Sequence, residues 1–100
     1  MIPTKLANEI KEQLVKELAP EAIYVGPFYK NRDLEILVVV NKPKSSRYRI
    51  AVSGHLALRN LGIGKSILVY TKKEFAEEVN DQSSDCYDMK KYGKKIYAKA

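Results

Sequence analysis

The run of five aliphatic residues at positions 36–40, Ile-Leu-Val-Val-Val, constrains the fold more than any other stretch of this chain. It is β-branched and aliphatic, without the alternation of a strand that is half in water, so it predicts a strand covered on both faces and placed near the centre of a sheet. Both covering layers have to come from the same 100 residues. A chain of that length holds one hydrophobic core system, and 45% hydrophobic with 30% charged residues is the composition of a folded globule.

The candidates for those layers are helices. Before the strand, Leu6, Ile10, Leu14 and Leu18 recur at every fourth position, with Ala7 and Val15 beside them, which predicts an amphipathic helix stopped by Pro20. Residues 22–29 read as a strand interrupted at Gly26-Pro27, and Lys30-Asn31-Arg32 as the turn of a hairpin leading into the strand that begins at Asp33. Ser45 or Ser46 is placed to cap a helix running to Leu61 and closed by Gly62, with Ile50, Gly54, Ala57, Leu58 and Leu61 on its buried face. Residues 66–70 form a further strand. A strand, a helix and a second strand in that order predict a right-handed crossover and parallel pairing.

Thr71-Lys72-Lys73-Glu74 has the form of a capping box and opens another helix. A last helix over residues 84–92 ends at Gly93, before an extended piece over 94–97. The expectation is one α/β (α+β) domain with a central mixed sheet and helices packed on it. Its parts are an N-terminal helix (1–20), a hairpin (22–40), a helix (45–61), a strand (66–70) and C-terminal helices with a tail (72–97).

No apolar run approaches the roughly 20 residues of a membrane helix, so a soluble, cytoplasmic protein without membrane association is expected. Cys86 is the single cysteine, which excludes an intrachain disulfide and a cysteine-based zinc cluster. The net charge of +6 favours phosphate-bearing partners. Lys42, Lys44, Arg47 and Arg49, beside Tyr48, form one basic cluster suited to phosphate or nucleic-acid contact. A second lies at Lys90, Lys91, Lys94, Lys95 and Lys99. The lone His55 has no metal-binding partner at helical spacing.

The chemistry-bearing feature is Asp33-Leu34-Glu35 at the entrance of the central strand. Alternate residues of a strand share a face, so the two carboxylates project together and would hold a divalent cation. With the succession 35–40, Gly62-Ile63-Gly64, Thr71-x-x-Glu74-Phe75 and Tyr92-Gly93-Lys94-Lys95-Ile96-Tyr97, the chain resembles the minimal nucleotidyltransferase family, of the DNA polymerase beta-like superfamily, over about three quarters of its length. The resemblance implies that Asp33 and Glu35 are the metal-binding and catalytic acids and that magnesium is the cofactor if the site is active. It also implies that Gly26, with Lys30 and Arg32 in the following loop, meets the nucleotide phosphates.

Three departures from the family pattern bear on activity. Pro27 stands where the family has a serine that grips phosphate, the loop from Gly26 to Asp33 is short, and Ser66 stands where the family has a third carboxylate. The leading expectation is therefore a nucleotidyltransferase-like domain with reduced or lost catalysis, acting by binding a nucleotide or a protein partner. Small members of the family pair with all-helical partners as toxin and antitoxin. Two alternatives stay open: an active magnesium-dependent enzyme moving a nucleoside monophosphate from a triphosphate to a hydroxyl, and a basic nucleic-acid-binding module. A homo-oligomer is a further expectation, since an edge strand gains from pairing.

Overall fold

The computed structural model describes residues 2–30, 33–43 and 45–100, with the side chains of 27–30 left aside. Its elements run α1 (Thr4–Leu18), β1 (Ala22–Lys30), β2 (Asp33–Val40), α2 (Arg47–Ala57), a 3-10 turn (Arg59–Leu61), β3 (Lys65–Thr71), α3 (Lys72–Glu78), α4 (Asp85–Tyr92) and β4 (Lys94–Ala98). The four strands make one mixed sheet in the order β3-β2-β1-β4. β2 pairs parallel with β3, and β1 pairs antiparallel with both β2 and β4.

The aliphatic run of β2 is central, and its pleat divides the core in two. Leu34, Ile36, Val38 and Val40 face α1 and α2, where they join Ile10, Leu14, Ile50 and Leu58. Leu37 and Val39 face the other way, into a smaller cluster with Tyr24, Cys86 and Met89. Absence of alternation thus reflects apolar cover on both sides, the physical condition for such a run. Ile36, Leu37 and Val38 are all fully buried.

α1 buries Ala7, Ile10 and Leu14 and ends where Ala19 turns left-handed (φ 46°), its N–H donating to the Val15 carbonyl at 3.1 Å. Pro20 then prevents continuation. Ser46 rather than Ser45 caps α2, its hydroxyl accepting from the Arg49 N–H at 3.2 Å. Gly54 lets α2 sit close on β3: a β-carbon there would lie 3.0 Å from Ile67 Cδ1.

The helix expected to run unbroken to Leu61 leaves α-geometry at Leu58 (φ −103°, ψ 11°) and tightens into the 3-10 turn, with Leu61 N–H donating to the Leu58 carbonyl. Such tightening satisfies the orphan carbonyls of a last helical turn. Gly62 closes it at φ 67°.

The capping box at α3 forms as its sequence predicts, Glu74 N–H donating to Thr71 Oγ1 at 3.0 Å and Thr71 N–H to Glu74 Oε1 at 2.8 Å. β1 is irregular between Val25 and Tyr29. The partner of Val25 is Ile36 and that of Tyr29 is Leu34, so β1 advances further than β2 over this stretch. Pro27 has no N–H to give the ladder, and a bulge is where a strand accommodates it. Lys30, expected in the turn, is a strand residue paired with Asp33; Asn31 and Arg32 lie outside the described residues.

Candidate functional site

Asp33 opens β2 and Glu35 follows two positions on, which puts both carboxylates on the face that carries Leu37 and Val39. Both are half-buried. The parallel register with β3 sets Ser66 directly beside Glu35, on the same face as Leu68 and Tyr70. The residue that the resemblance sets at the third-carboxylate position is therefore next to the acid pair, and it brings a hydroxyl. Gly26 is buried and adjoins Val25, whose partner on β2 is Ile36, so the bulged part of β1 borders the same end of the sheet.

The floor of this face is aromatic. Tyr24 stacks on Phe75 with ring centroids 5.3 Å apart, and the Lys95 ammonium lies 5.5 Å from the centre of the Tyr24 ring. Lys95 reaches this place because β4 pairs with β1 and sets it opposite Tyr24, while Lys94, opposite Val25, belongs to the other face. Reading the sequence finds both as part of a basic C-terminal cluster but does not place Lys95 on the acid pair's face of the sheet. Only the pairing partner of the last extended piece would reveal that, and no local pattern encodes it.

Other predicted residues lie elsewhere. Lys42 follows the far end of β2, roughly 23 Å along the strand from Asp33 at ~3.3 Å per residue. It lines a surface groove with Glu17, Asn41, Ser45 and Ser53. Arg47 pairs with Glu74 Oε2 at 3.4 Å and lies 5.9 Å from the centre of the Tyr70 ring, while Arg49 is exposed on α2. Arg32 and Lys44 are outside the described residues, as is the Lys30 side chain. The structure thus separates Lys42 and Arg47 from the acid pair by most of the length of the sheet.

Among the described residues, no three histidine, cysteine, aspartate or glutamate side chains group as metal ligands. Two carboxylates and a hydroxyl do not fit the paired-ion site of phosphoryl transfer, which needs acids enough to hold both ions. Cys86 is buried beside Met89, and burial first of all pushes its thiol from 9.0 to about 11, which keeps it protonated and unreactive at neutral pH. His55 is exposed. No described helix is long and apolar enough to cross a membrane.

No family model matches the chain, and no curated protein matches it. Among solved structures, the fold is similar to a chain of the tri-AMPylated Shewanella oneidensis HEPN toxin in complex with MNT antitoxin. The TM-score is 0.56 at 17% identity, over 93% of this chain and 70% of that one. At this identity the likeness is one of fold: a small nucleotidyltransferase-like architecture, with a mixed four-stranded sheet and helices on both faces.

Proposed function

We propose that this chain is a nucleotidyltransferase-like domain in which nucleotidyl transfer is reduced or lost, and which acts by binding a protein partner in a toxin–antitoxin type of pairing, with residual nucleotide binding at the acid pair. The observation that carries the reading is the register of β2 on β3, which sets Ser66 beside Glu35. Transfer to a hydroxyl needs carboxylates to hold the cation and to take the acceptor's proton, and a serine can do neither. Glu35 also reaches one methylene further than an aspartate, which works against the tight octahedral geometry of magnesium. The similarity in fold to a chain from a toxin–antitoxin complex supports a protein as the partner.

The test is a titration with magnesium and ATP, followed by amide chemical shifts over residues 24–36, alongside an assay for transfer of labelled AMP to protein acceptors. The expected result is weak binding without transfer, and Ser66→Asp should raise the affinity for magnesium–ATP by about tenfold, the effect of one well-placed charge. Transfer by the unaltered chain that is abolished by Asp33→Asn would refute the proposal and favour an active enzyme.

A further inference from the structure

α2 has two apolar faces, and the chain covers one. Ile50, Gly54 and Leu58 turn inward onto α1 and β3. On the opposite side Tyr48, Val52 and Leu56 stand in a row at i, i+4 and i+8, exposed by 78%, 40% and 57%. A surface helix ordinarily carries one apolar stripe and a polar outer face, whereas apolar residues all round belong to helices covered on every side. The charge around this row has one sign. Between Glu35 and Glu74 the sequence contains no acidic residue, and the row is bordered by exposed Arg49, His55 and Arg59.

We propose that the outer face of α2 docks an acidic amphipathic helix of a partner protein, with apolar residues at i, i+3 or i+4 and i+7 covering Val52 and Leu56, and with Asp or Glu along its borders meeting Arg49 and Arg59. This rests on the reading above that the chain acts by binding a partner, and gives that partner's surface a chemistry. Charge complementarity selects the occupant. A second copy meeting this face through its own α2 would bring arginine against arginine, which costs both copies. A nucleic acid would use the arginines and stack on Tyr48, but it would leave Val52 and Leu56 in water. An aliphatic row with a cationic border suits a helix that is apolar along its centre and acidic at its edges.

The experiment uses three synthetic helical peptides, each of roughly 18 residues, the length at which a helix presents several turns to a groove. One has a leucine stripe bordered by glutamate, one has the same stripe bordered by lysine, and one has the glutamate composition with its leucines scattered round the helix. Fluorescence anisotropy of the full chain with each should show binding of the first alone. Leu56→Ala should weaken that binding about tenfold, as truncating an anchor does, and Arg49→Glu should switch preference to the lysine-bordered peptide. Both positions are exposed, so thermal melts of the variants should match the parent.

Failure of the acidic peptide to bind, or binding unchanged by Leu56→Ala and Val52→Ala, overturns the proposal. So does sedimentation of the chain as a dimer that Leu56→Lys disperses, which assigns the face to a second copy. Binding of a single-stranded oligonucleotide that needs Tyr48 but not Leu56 assigns it to nucleic acid and overturns the proposal equally. None of these readouts involves transfer, so an active acid pair would refute the loss of catalysis while leaving the docking result to be judged separately.

Discussion

Replacing Gly93 by alanine tests the junction between α4 and β4, where space and not backbone angle sets the residue. Gly93 sits at φ −81° and ψ 179°, an extended conformation open to any residue, and its N–H donates to the Met89 carbonyl at 2.9 Å. A β-carbon there would lie 2.6 Å from the Met89 carbonyl oxygen, 2.8 Å from the Val25 carbonyl oxygen and 2.5 Å from Met89 Sδ. The sulfur belongs to a flexible side chain and can swing away. The two carbonyl oxygens belong to the end of α4 and to β1, and they move only if β4 lifts from the sheet.

Overpacking costs about 1–3 kcal/mol, and contact with backbone places this case in the upper half of that range. Alanine recovers about 0.4–1 kcal/mol by restricting the unfolded chain, which leaves a net loss of about 1–2.6 kcal/mol. For a domain of this size that corresponds to a fall in Tm on the order of 10 °C. Gly54→Ala is the matched comparison. Its β-carbon meets the flexible end of Ile67 at 3.0 Å, and the change gains about 1 kcal/mol of helix propensity, so it should melt close to the parent. Thermal melts followed by circular dichroism decide between them. A Gly93→Ala variant within about 2 °C of the parent, or a Gly54→Ala variant that falls as far, would refute the assignment of the cost to fixed backbone oxygens.

Two further outcomes follow from the other elements. Glu74→Ala removes the capping box and the Arg47 ion pair, for about 1 kcal/mol at neutral pH. The Thr71 backbone N–H, with Arg47 adding to it, holds the Glu74 carboxyl below its ordinary 4.5, so this contribution is complete above 4.5 and is lost as pH falls through the lowered value. Urea midpoints should show parent and variant converging as pH falls below 4.5, and a constant gap would count against the cap. Burial holds the Cys86 thiol at about 11 against an ordinary 9.0, so stability that is complete below 9.0 should decline as pH rises toward 11. Iodoacetamide at neutral pH, followed by mass, should label Cys86 only after unfolding; equal rates for native and urea-treated protein would show that the thiol is accessible.

The features legible in the sequence are those encoded locally. The aliphatic run announces a central strand because both faces of its pleat must be apolar. Thr71 and Glu74 announce a helix start because their reciprocal hydrogen bonds depend only on spacing. Asp33 and Glu35 share a face by alternation alone. What escaped depends on distance along the chain. β4 finds β1 from some seventy residues away through backbone pairing that any extended piece could make, and with it Lys95 reaches the acid pair's side of the sheet. The outward row on α2 escaped for a different reason: the same helix also supplies a satisfactory inward face, and one good face conceals a second.

The two halves of the core put the acid pair and the outer face of α2 on opposite sides of the sheet, with almost no side chains in common. Asp33, Glu35 and Ser66 belong to the α3–α4 side of the sheet, and α2 lies on the other. A partner seated on α2 would meet none of the acid-pair residues, so any communication between them has two material routes. One runs through the sheet, where Leu34 and Ile36 of β2 and Ile67 of β3 serve the α2 side while Glu35 and Ser66 of the same two strands serve the other. The other goes round the edge of the sheet at the far end of β3, where Arg47 of α2 grips Glu74 of α3 across Tyr70. The first is buried between two layers; the second is a half-exposed latch, and of the two it is the one that a bound partner could open.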